Sequence, residues 1–277
     1  MCSLKILIVL YNKSLNDSES IKTLLNLQRF HGKFELILWD NSLIRLETTE
    51  ISYLEKKISP SKVNYNHTPE NLELSKIYNL VIRDFIFITD YLMLLDDDTT
   101  LTEAFFIELF NNLEESHLHA DVYLPKILND GILVSPAKMY SFFGRYYKKI
   151  NTGFLRSKFI VAINSGMIIS GKFLKLTFNG YDERLKFYGT DTYFMKELCK
   201  VKGSVYILNS YLNHELSFFK KNIKIEDKVV RLNEMIYGLE ILLINKNFII
   251  KFLFLVYKFL LKLKYTCQLK TMKFYDN

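Results

Sequence analysis

The sequence predicts an α/β fold with a mostly parallel central sheet flanked by helices. Three observations carry that prediction. Apolar runs of strand length alternate with helical periodicity over about the first 120 residues. The strand-like runs end in polar clusters, as expected where the carboxyl ends of strands face a ligand. Glycine (10) and proline (4) are few in a chain of 277 residues that is 49% hydrophobic, which favours long regular elements around a real core over disorder.

Residues 4–10 are aliphatic and β-branched and read as a buried strand. The run is too short, and too soon followed by the polar Tyr11-Asn12-Lys13-Ser14, to be a signal peptide. A helix is expected over about residues 18–30, with Ile21, Leu24, Leu25 and Gln28 at helical spacing. Residues 34–39 form a second strand that ends in Asp40-Asn41-Ser42. A helical stretch near 46–58 stops before Pro60, and residues 63–66 form a short strand. Residues 71–88 read as a long amphipathic helix, 91–95 as a strand running directly into Asp96-Asp97-Asp98, and 102–116 as another helix.

Beyond residue 120 shorter strands are expected, at 121–124, 131–139 and 159–169. A helix over 191–201 and a strand near 204–208 follow, and residues 225–264 read as helical throughout. No repeat or low-complexity linker divides residues 1–215, which form one unit; residues 216–277 form a helical C-terminal extension.

The net charge is +7, and part of the excess gathers at the C-terminus: Lys246, Lys251, Lys258, Lys262, Lys264, Lys270 and Lys273 precede a lone acid, Asp276. A basic, apolar tail suits an anionic membrane surface better than nucleic acid. Cys2, Cys199 and Cys267 are far apart and form no CxxC pair, so neither a disulfide framework nor a zinc site is expected and a reducing cytosol fits.

Three adjacent carboxylates after an apolar strand repel one another unless a cation neutralises them or they point apart. Hard divalent ions, Mn²⁺ or Mg²⁺, take such oxygen ligands and share them with substrate phosphates. On strand geometry Asp96 and Asp98 share a side and Asp97 faces the other. A solvated turn that caps the next helix is the alternative.

The chain resembles the family 2 glycosyltransferases, the inverting enzymes of GT-A fold with a Rossmann-like sheet. The resemblance spans roughly residues 4–215 and rests on pieces in the family's order. These are Val9-Leu10-Tyr11-Asn12; Trp39-Asp40-Asn41-Ser42; Glu70-Asn71-Leu72 with Asn79 following; and Leu95-Asp96-Asp97-Asp98-Thr99 as the Asp-x-Asp motif. Asn164-Ser165-Gly166-Met167, the block from Gly180-Tyr181-Asp182-Glu183 to Tyr188-Gly189-Thr190-Asp191, and a late His214 complete the series. Glu73 stands where the family usually has Gly, and Thr190 where it usually has Glu.

The resemblance implies a rhamnosyltransferase-like enzyme of bacterial surface-polysaccharide assembly, such as O-antigen or capsule. It would move a sugar from a UDP- or dTDP-sugar to a hydroxyl of a glycan or polyprenol-linked acceptor. Residues 1–120 would form the donor half and 121–215 the acceptor half. Asp191 would be the general base. Asp98 and Asp96, with His214, would hold the metal. Tyr11, Asn12, Asp40, Asn71, Asn79, Asp96 and Asp97 would bind the donor, Asp40 accepting from the base or ribose. Asn164, Ser165, Gly166, Asp182 and Glu183 would line the acceptor side. A sugar-phosphate nucleotidyltransferase is a competing reading, but it should carry a Gly-rich basic loop that Tyr11-Asn12-Lys13-Ser14 lacks. A non-catalytic scaffold of the same fold is the other.

Residues 246–264 have the length of a roughly 28 Å helix. Lys251, Lys258 and Lys262, seven and four residues apart, lie on one stripe of it. Lysines at mid-bilayer cost about 2.5–3.5 kcal/mol each, so the helix is expected to lie in the interface rather than to span. This places the protein peripherally on the cytoplasmic face of the inner membrane, near a lipid-linked acceptor. Packing on the catalytic unit and a homodimer contact are the alternatives.

Overall fold

The computed structural model describes residues 3–115, 119–214 and 224–269. Cys2, Lys270, Lys273, Asp276, the end of the helix expected at 116 and the 215/216 boundary lie outside the described residues.

Strand and helix alternate over the first 114 residues as expected. The elements are β1 (Ser3–Leu10), α1 (Glu19–Asn26), β2 (Phe34–Asp40), α2 (Thr48–Ile58), β3 (Lys62–His67), α3 (Leu74–Phe85), β4 (Asp90–Leu95), β5 (Thr99–Thr100) and α4 (Glu103–Glu114). The second half contains β6 (Val122–Asn129), β7 (Ile132–Ser135), β8 (Ala137–Tyr140), β9 (Phe143–Tyr146), β10 (Gly153–Arg156), β11 (Ile160–Val161), β12 (Met167–Ser170), α5 (Gly171–Leu176), α6 (Thr190–Lys200) and β13 (Ser204–His214). Two long helices follow, α7 (Ile225–Leu243) and α8 (Phe248–Leu269).

The main sheet runs β10-β13-β6-β12-β4-β1-β2-β3. Strands β4, β1, β2 and β3 are mutually parallel, and β6 is parallel to β13; β12 joins the two groups antiparallel to both β4 and β6. Strands β1 and β4 are almost wholly buried because both faces of the sheet are covered, so they read as continuous apolar runs rather than alternating ones. One core lies on each face: Ile6, Ile8, Met93, Phe105 and Phe106 on one, Leu7, Ile37, Ile77, Leu94 and Phe194 on the other. A separate small sheet has the order β11-β8-β9.

Several boundaries differ from expectation for local reasons. Helix α3 starts at Leu74, not residue 71, because Asn71 is left-handed (φ 51°) and the backbone of Leu72 is bonded to the Asn41 side chain. Helix α1 ends at Asn26, and residues 28–30 form a separate 3₁₀ turn. The stretch 131–139 is split at Pro136, which has no N–H for a ladder. The stretch 159–169 is split by a turn at 162–166, where Gly166 has φ +80°. Strand β13 runs to His214, well past the expected 208, after an irregularity between Ile207 and Tyr211.

The helical run 225–264 is two helices. Asn247 Oδ1 accepts from Ile250 N at 3.0 Å and opens α8, which folds back along α7. Val229, Leu232, Ile236, Leu243 and Phe254 form the core of this hairpin, and Lys258 pairs with Glu240 across it at 2.6 Å. The hairpin is fastened to the rest of the chain at a close backbone approach: a Cβ on Gly238 of α7 would lie 2.7 Å from the Tyr188 carbonyl. Among the described residues no helix is long and apolar enough to cross a membrane.

Candidate active site

Strand β4 ends at Leu95, and Asp96–Asp98 form a turn before β5. The alternation expected from strand geometry therefore does not operate here; the turn itself sorts the three carboxylates. Its backbone is held from α1 and its cap. Ser18 Oγ donates to the Asp97 carbonyl at 2.9 Å, and Ser20 Oγ lies 2.5 Å from the Asp96 carbonyl and 3.0 Å from that of Thr99. On the other side Asp96 N donates to Ser165 Oγ at 3.0 Å.

His214 reaches this turn through β13. Its backbone pairs with Thr99, and its Nδ1 lies 3.0 Å from Thr99 Oγ1 and 3.0 Å from Asp98 Oδ1, while its Nε2 is 3.6 Å from Asp96 Oδ2. Asp96, Asp98 and His214 thus bring one ligand atom each to within 4.8 Å of one another. Two carboxylates and an imidazole are a donor set that Mn²⁺ or Mg²⁺ would fit. Desolvation raises the Asp96 pKa to about 6; His214 opposes the rise, while Asp98, Asp97 and Asp191 add to it. Asp97 points elsewhere and pairs with Lys13 at 2.8 Å.

Asp191 stands in the first turn of α6, after Gly189 at φ +92°. Burial raises its pKa, and its charge is felt at Asp96, Tyr78 and Tyr181. It therefore lies near enough to the Asp96, Asp98 and His214 group for its charge to act on Asp96. Asn164 fixes this helix end: its Nδ2 donates to Thr190 Oγ1 at 2.9 Å and sits 3.4 Å from the Tyr78 hydroxyl.

At the other end a cleft of about 370 Å³ is lined by Asn12, Lys13, Ser42, Arg45, Leu46 and Glu47, among others. Tyr11 is 52% exposed nearby in sequence, and Asn12 N donates to Ser42 Oγ at 2.8 Å. Asp40 is only 1% exposed. Its carboxylate accepts from Ser42 N (3.1 Å), Leu46 N (3.0 Å) and the Tyr65 hydroxyl (2.7 Å). These bonds let Asp40 shape the 42–46 wall of the cleft.

Other expected contacts are also structural fasteners. Asn71 Oδ1 accepts from Asn41 Nδ2 at 2.9 Å. Asn79 clamps the Tyr181 backbone, accepting from its N–H at 2.7 Å and donating to its carbonyl at 3.0 Å. Ser165 is 1% exposed and braces the aspartate turn. Gly166 is fixed by crowding, since a Cβ would come within 2.9 Å of Leu212 and Pro125 side chains. Asp182 is chelated by Arg184, which holds its pKa below the ordinary value, and Glu183 stays exposed.

Sequence reasoning missed Lys13, Ser18, Ser20, Tyr78, Thr99 and Thr190 as parts of the site. Ser18 and Ser20 carried a helix-start signal, and the long-range bond each also makes leaves no local trace.

Residues 5–176, more than half the chain, match the family model described as Glycosyl transferase family 2. The chain belongs to that family. Among solved structures, this glycosyltransferase is similar to S. aureus TarS (residues 1–349) in complex with UDP, with TM-score 0.53 and 15% identity over 85% of this chain and 65% of that one. It is also similar to GalNAc-T7 with UDP, GalNAc and Mn²⁺, at TM-score 0.59 and 14% identity over 80% of this chain and 45% of that one. The mannosyltransferase PcManGT from Pyrobaculum calidifontis, in complex with GDP-Man and Mn²⁺, gives TM-score 0.57 and 8% identity over 85% and 62% of the two chains. The glycosyltransferase thus spans less than two thirds of the length of these three, and at such identities the likeness shows the GT-A fold alone. No curated protein matches the chain. Asp191 and His214 lie beyond the matched segment and join the site through α6 and β13.

Proposed function

We propose that this glycosyltransferase moves a sugar, with inversion, from a UDP- or dTDP-sugar to a hydroxyl of a glycan or polyprenol-linked acceptor in bacterial O-antigen or capsule assembly. The observation that carries this reading is the convergence of Asp96, Asp98 and His214 on one point, with Asp191 close enough for its charge to act on Asp96. Nearby donors in neighbouring folds, UDP and GDP-Man with Mn²⁺, support the donor class.

Transfer through an oxocarbenium-like transition state needs two things: charge relief on the departing diphosphate and loss of the acceptor proton. Bound Mn²⁺ or Mg²⁺ supplies Lewis-acid charge neutralisation at the diphosphate. Asp96, Asp98 and His214 would hold that ion. Lys13, paired with Asp97 at the cleft rim, adds positive charge between nucleotide and metal. Asp191 takes the acceptor proton; its raised pKa makes it a better base than an ordinary carboxylate.

The enzyme works at the cytoplasmic face of the inner membrane through α8. At 100° per residue, Phe248, Phe252, Leu255, Phe259 and Leu263 form an outward face opposite the side packed on α7, and each is at least 38% exposed. Lys251, Lys258 and Lys262 border that face on one side and Lys264 on the other, and α8 contains no acid. An apolar stripe edged by lysines lies in an anionic bilayer surface with its amines among the headgroups.

The test is thermal protection by UDP- and dTDP-sugars with and without Mn²⁺. Protection that needs the ion and disappears in Asp98→Ala is expected. Absence of protection by every nucleotide sugar would favour the non-catalytic scaffold.

A further inference from the structure

Residues 131–181 contain eight Lys or Arg, six of them between 138 and 158, and no Asp or Glu. The fold gathers part of this charge. Strands β8 and β9 form a hairpin carrying a cleft of about 380 Å³ lined by Lys138, Tyr140, Arg145, Tyr146, Tyr147 and Lys148. Among the described residues no carboxylate pairs with Lys138, Arg145 or Lys148; Lys138 Nζ instead lies 5.1 Å from the Tyr147 ring centre.

The position of this cleft matters as much as its charge. The hairpin tip packs on α8: the Phe142 ring lies 5.4 Å from Phe254 and 5.2 Å from Tyr257, and the Phe143 ring 5.0 Å from Tyr257. On its other side β8 pairs with β11, where Lys138 stands opposite Ile160. Asn164, which fixes the helix end bearing Asp191, follows Ile160 by four residues, which can span at most about 13 Å. The cleft is therefore linked on one side to the helix read as lying in the bilayer and on the other, through β11, to the helix end that carries Asp191.

We propose that this cleft binds the phosphate or diphosphate head of a prenyl-linked acceptor. The inference rests on the reading of the chain as a transferase working at a membrane. Arg145 offers a planar fork that matches phosphate oxygens, Lys138 and Lys148 add point charges, and the tyrosine hydroxyls add donors. Burial raises the pKa of Tyr146 and Tyr147, which keeps those hydroxyls protonated. A sugar attached to such a head points along β11 toward Asp191.

The test uses the full chain and phosphatidylcholine vesicles carrying either phosphatidylglycerol or a polyprenyl diphosphate at equal surface charge. The wild type is expected to bind the polyprenyl diphosphate vesicles about tenfold more tightly. The Lys138→Ala, Arg145→Ala, Lys148→Ala triple variant loses that preference and keeps binding to phosphatidylglycerol through α8. Arg145→Lys, which keeps the charge but not the fork, loses part of the preference. Equal binding of both vesicles by the wild type, or a preference retained by the triple variant, overturns the proposal. Mn²⁺-dependent protection by UDP- and dTDP-sugars is measured on each protein. Intact protection without the preference removes the cleft alone, whereas no protection of the wild type removes the transferase reading.

Discussion

His214 stands opposite Thr99 in an antiparallel backbone pair, and its Nδ1 lies 3.0 Å from the Thr99 hydroxyl. That hydroxyl is also 2.5 Å from Ser165 Oγ, which accepts the Asp96 N–H. One buried threonine thus links the imidazole to the aspartate turn. Partners behind a metal-ligating His fix its orientation, and their loss costs about 10–100-fold in metal affinity or activity. Thr99→Val keeps the shape and removes the bond. It is expected to raise the Mn²⁺ concentration needed for nucleotide protection by that factor, with His214→Ala at least as severe. Unchanged Mn²⁺ dependence in both variants would remove His214 from the ligand set.

Asp191→Asn is expected to separate stability from turnover. Burial raises the Asp191 pKa, so the folded state holds the proton more tightly than the unfolded chain. A carboxyl shifted in this direction favours folding below its unfolded pKa of about 3.9, and that contribution is lost as pH rises through the folded value. At neutral pH the ionised group therefore opposes folding. The Asn variant should melt higher at neutral pH, with the gain shrinking in acid, while turnover falls about 10²–10⁴-fold and donor protection persists. The acid limb of the wild-type rate profile should sit above the ordinary carboxylate range. Full turnover in Asp191→Asn would assign the base elsewhere.

Gly238→Ala tests the joint between α7 and α6. The added Cβ would lie 2.7 Å from the Tyr188 carbonyl, next to the Gly189 turn that opens α6. Overpacking of this kind costs about 1–3 kcal/mol. A lower Tm with a disproportionate fall in kcat is expected, because the displaced turn carries Asp191. A fall in Tm with kcat intact would make the contact purely structural.

Asp40→Ala removes the acceptor of Ser42 N and of the Tyr65 hydroxyl, at about 1–3 kcal/mol for each left buried without a partner, while Leu46 N keeps the Tyr65 oxygen at 3.1 Å. Weaker nucleotide protection is expected because the 42–46 wall loosens. The Tyr65 hydroxyl, pushed up to about 12 by burial first and by the Asp40 bond second, should titrate lower in the variant. Alkaline difference absorbance measures that change. Nucleotide protection unaffected in a stable Asp40→Ala protein would detach this wall from the donor site.

The sheet and its order of elements were legible because their signals are local. The aliphatic runs of β1 and β4, the helical spacing of Ile21 and Leu24, and the polar residues closing each strand all lie within short windows. Boundaries failed where a distant side chain intervened, as at α3, whose first turn Asn41 claims, and at β13, whose extension depends on pairing with β5 and β6. The break between α7 and α8 escaped because Asn247 and its neighbours interrupt an otherwise unbroken helical pattern.

The sequence by itself determined which chemistry the chain carries: a carboxylate triplet after an apolar strand, a late histidine, an acid opening a helix and a lysine-edged apolar tail. Tertiary structure decided which of these groups meet. It put Asp96 and Asp98 with His214, sent Asp97 to Lys13, and turned Asp40, Asn79 and Ser165 into fasteners of the walls. The physical reason is hydrogen-bond accounting. A polar side chain that becomes buried must find a partner, and that partner is fixed by strand register and loop packing far from it in sequence.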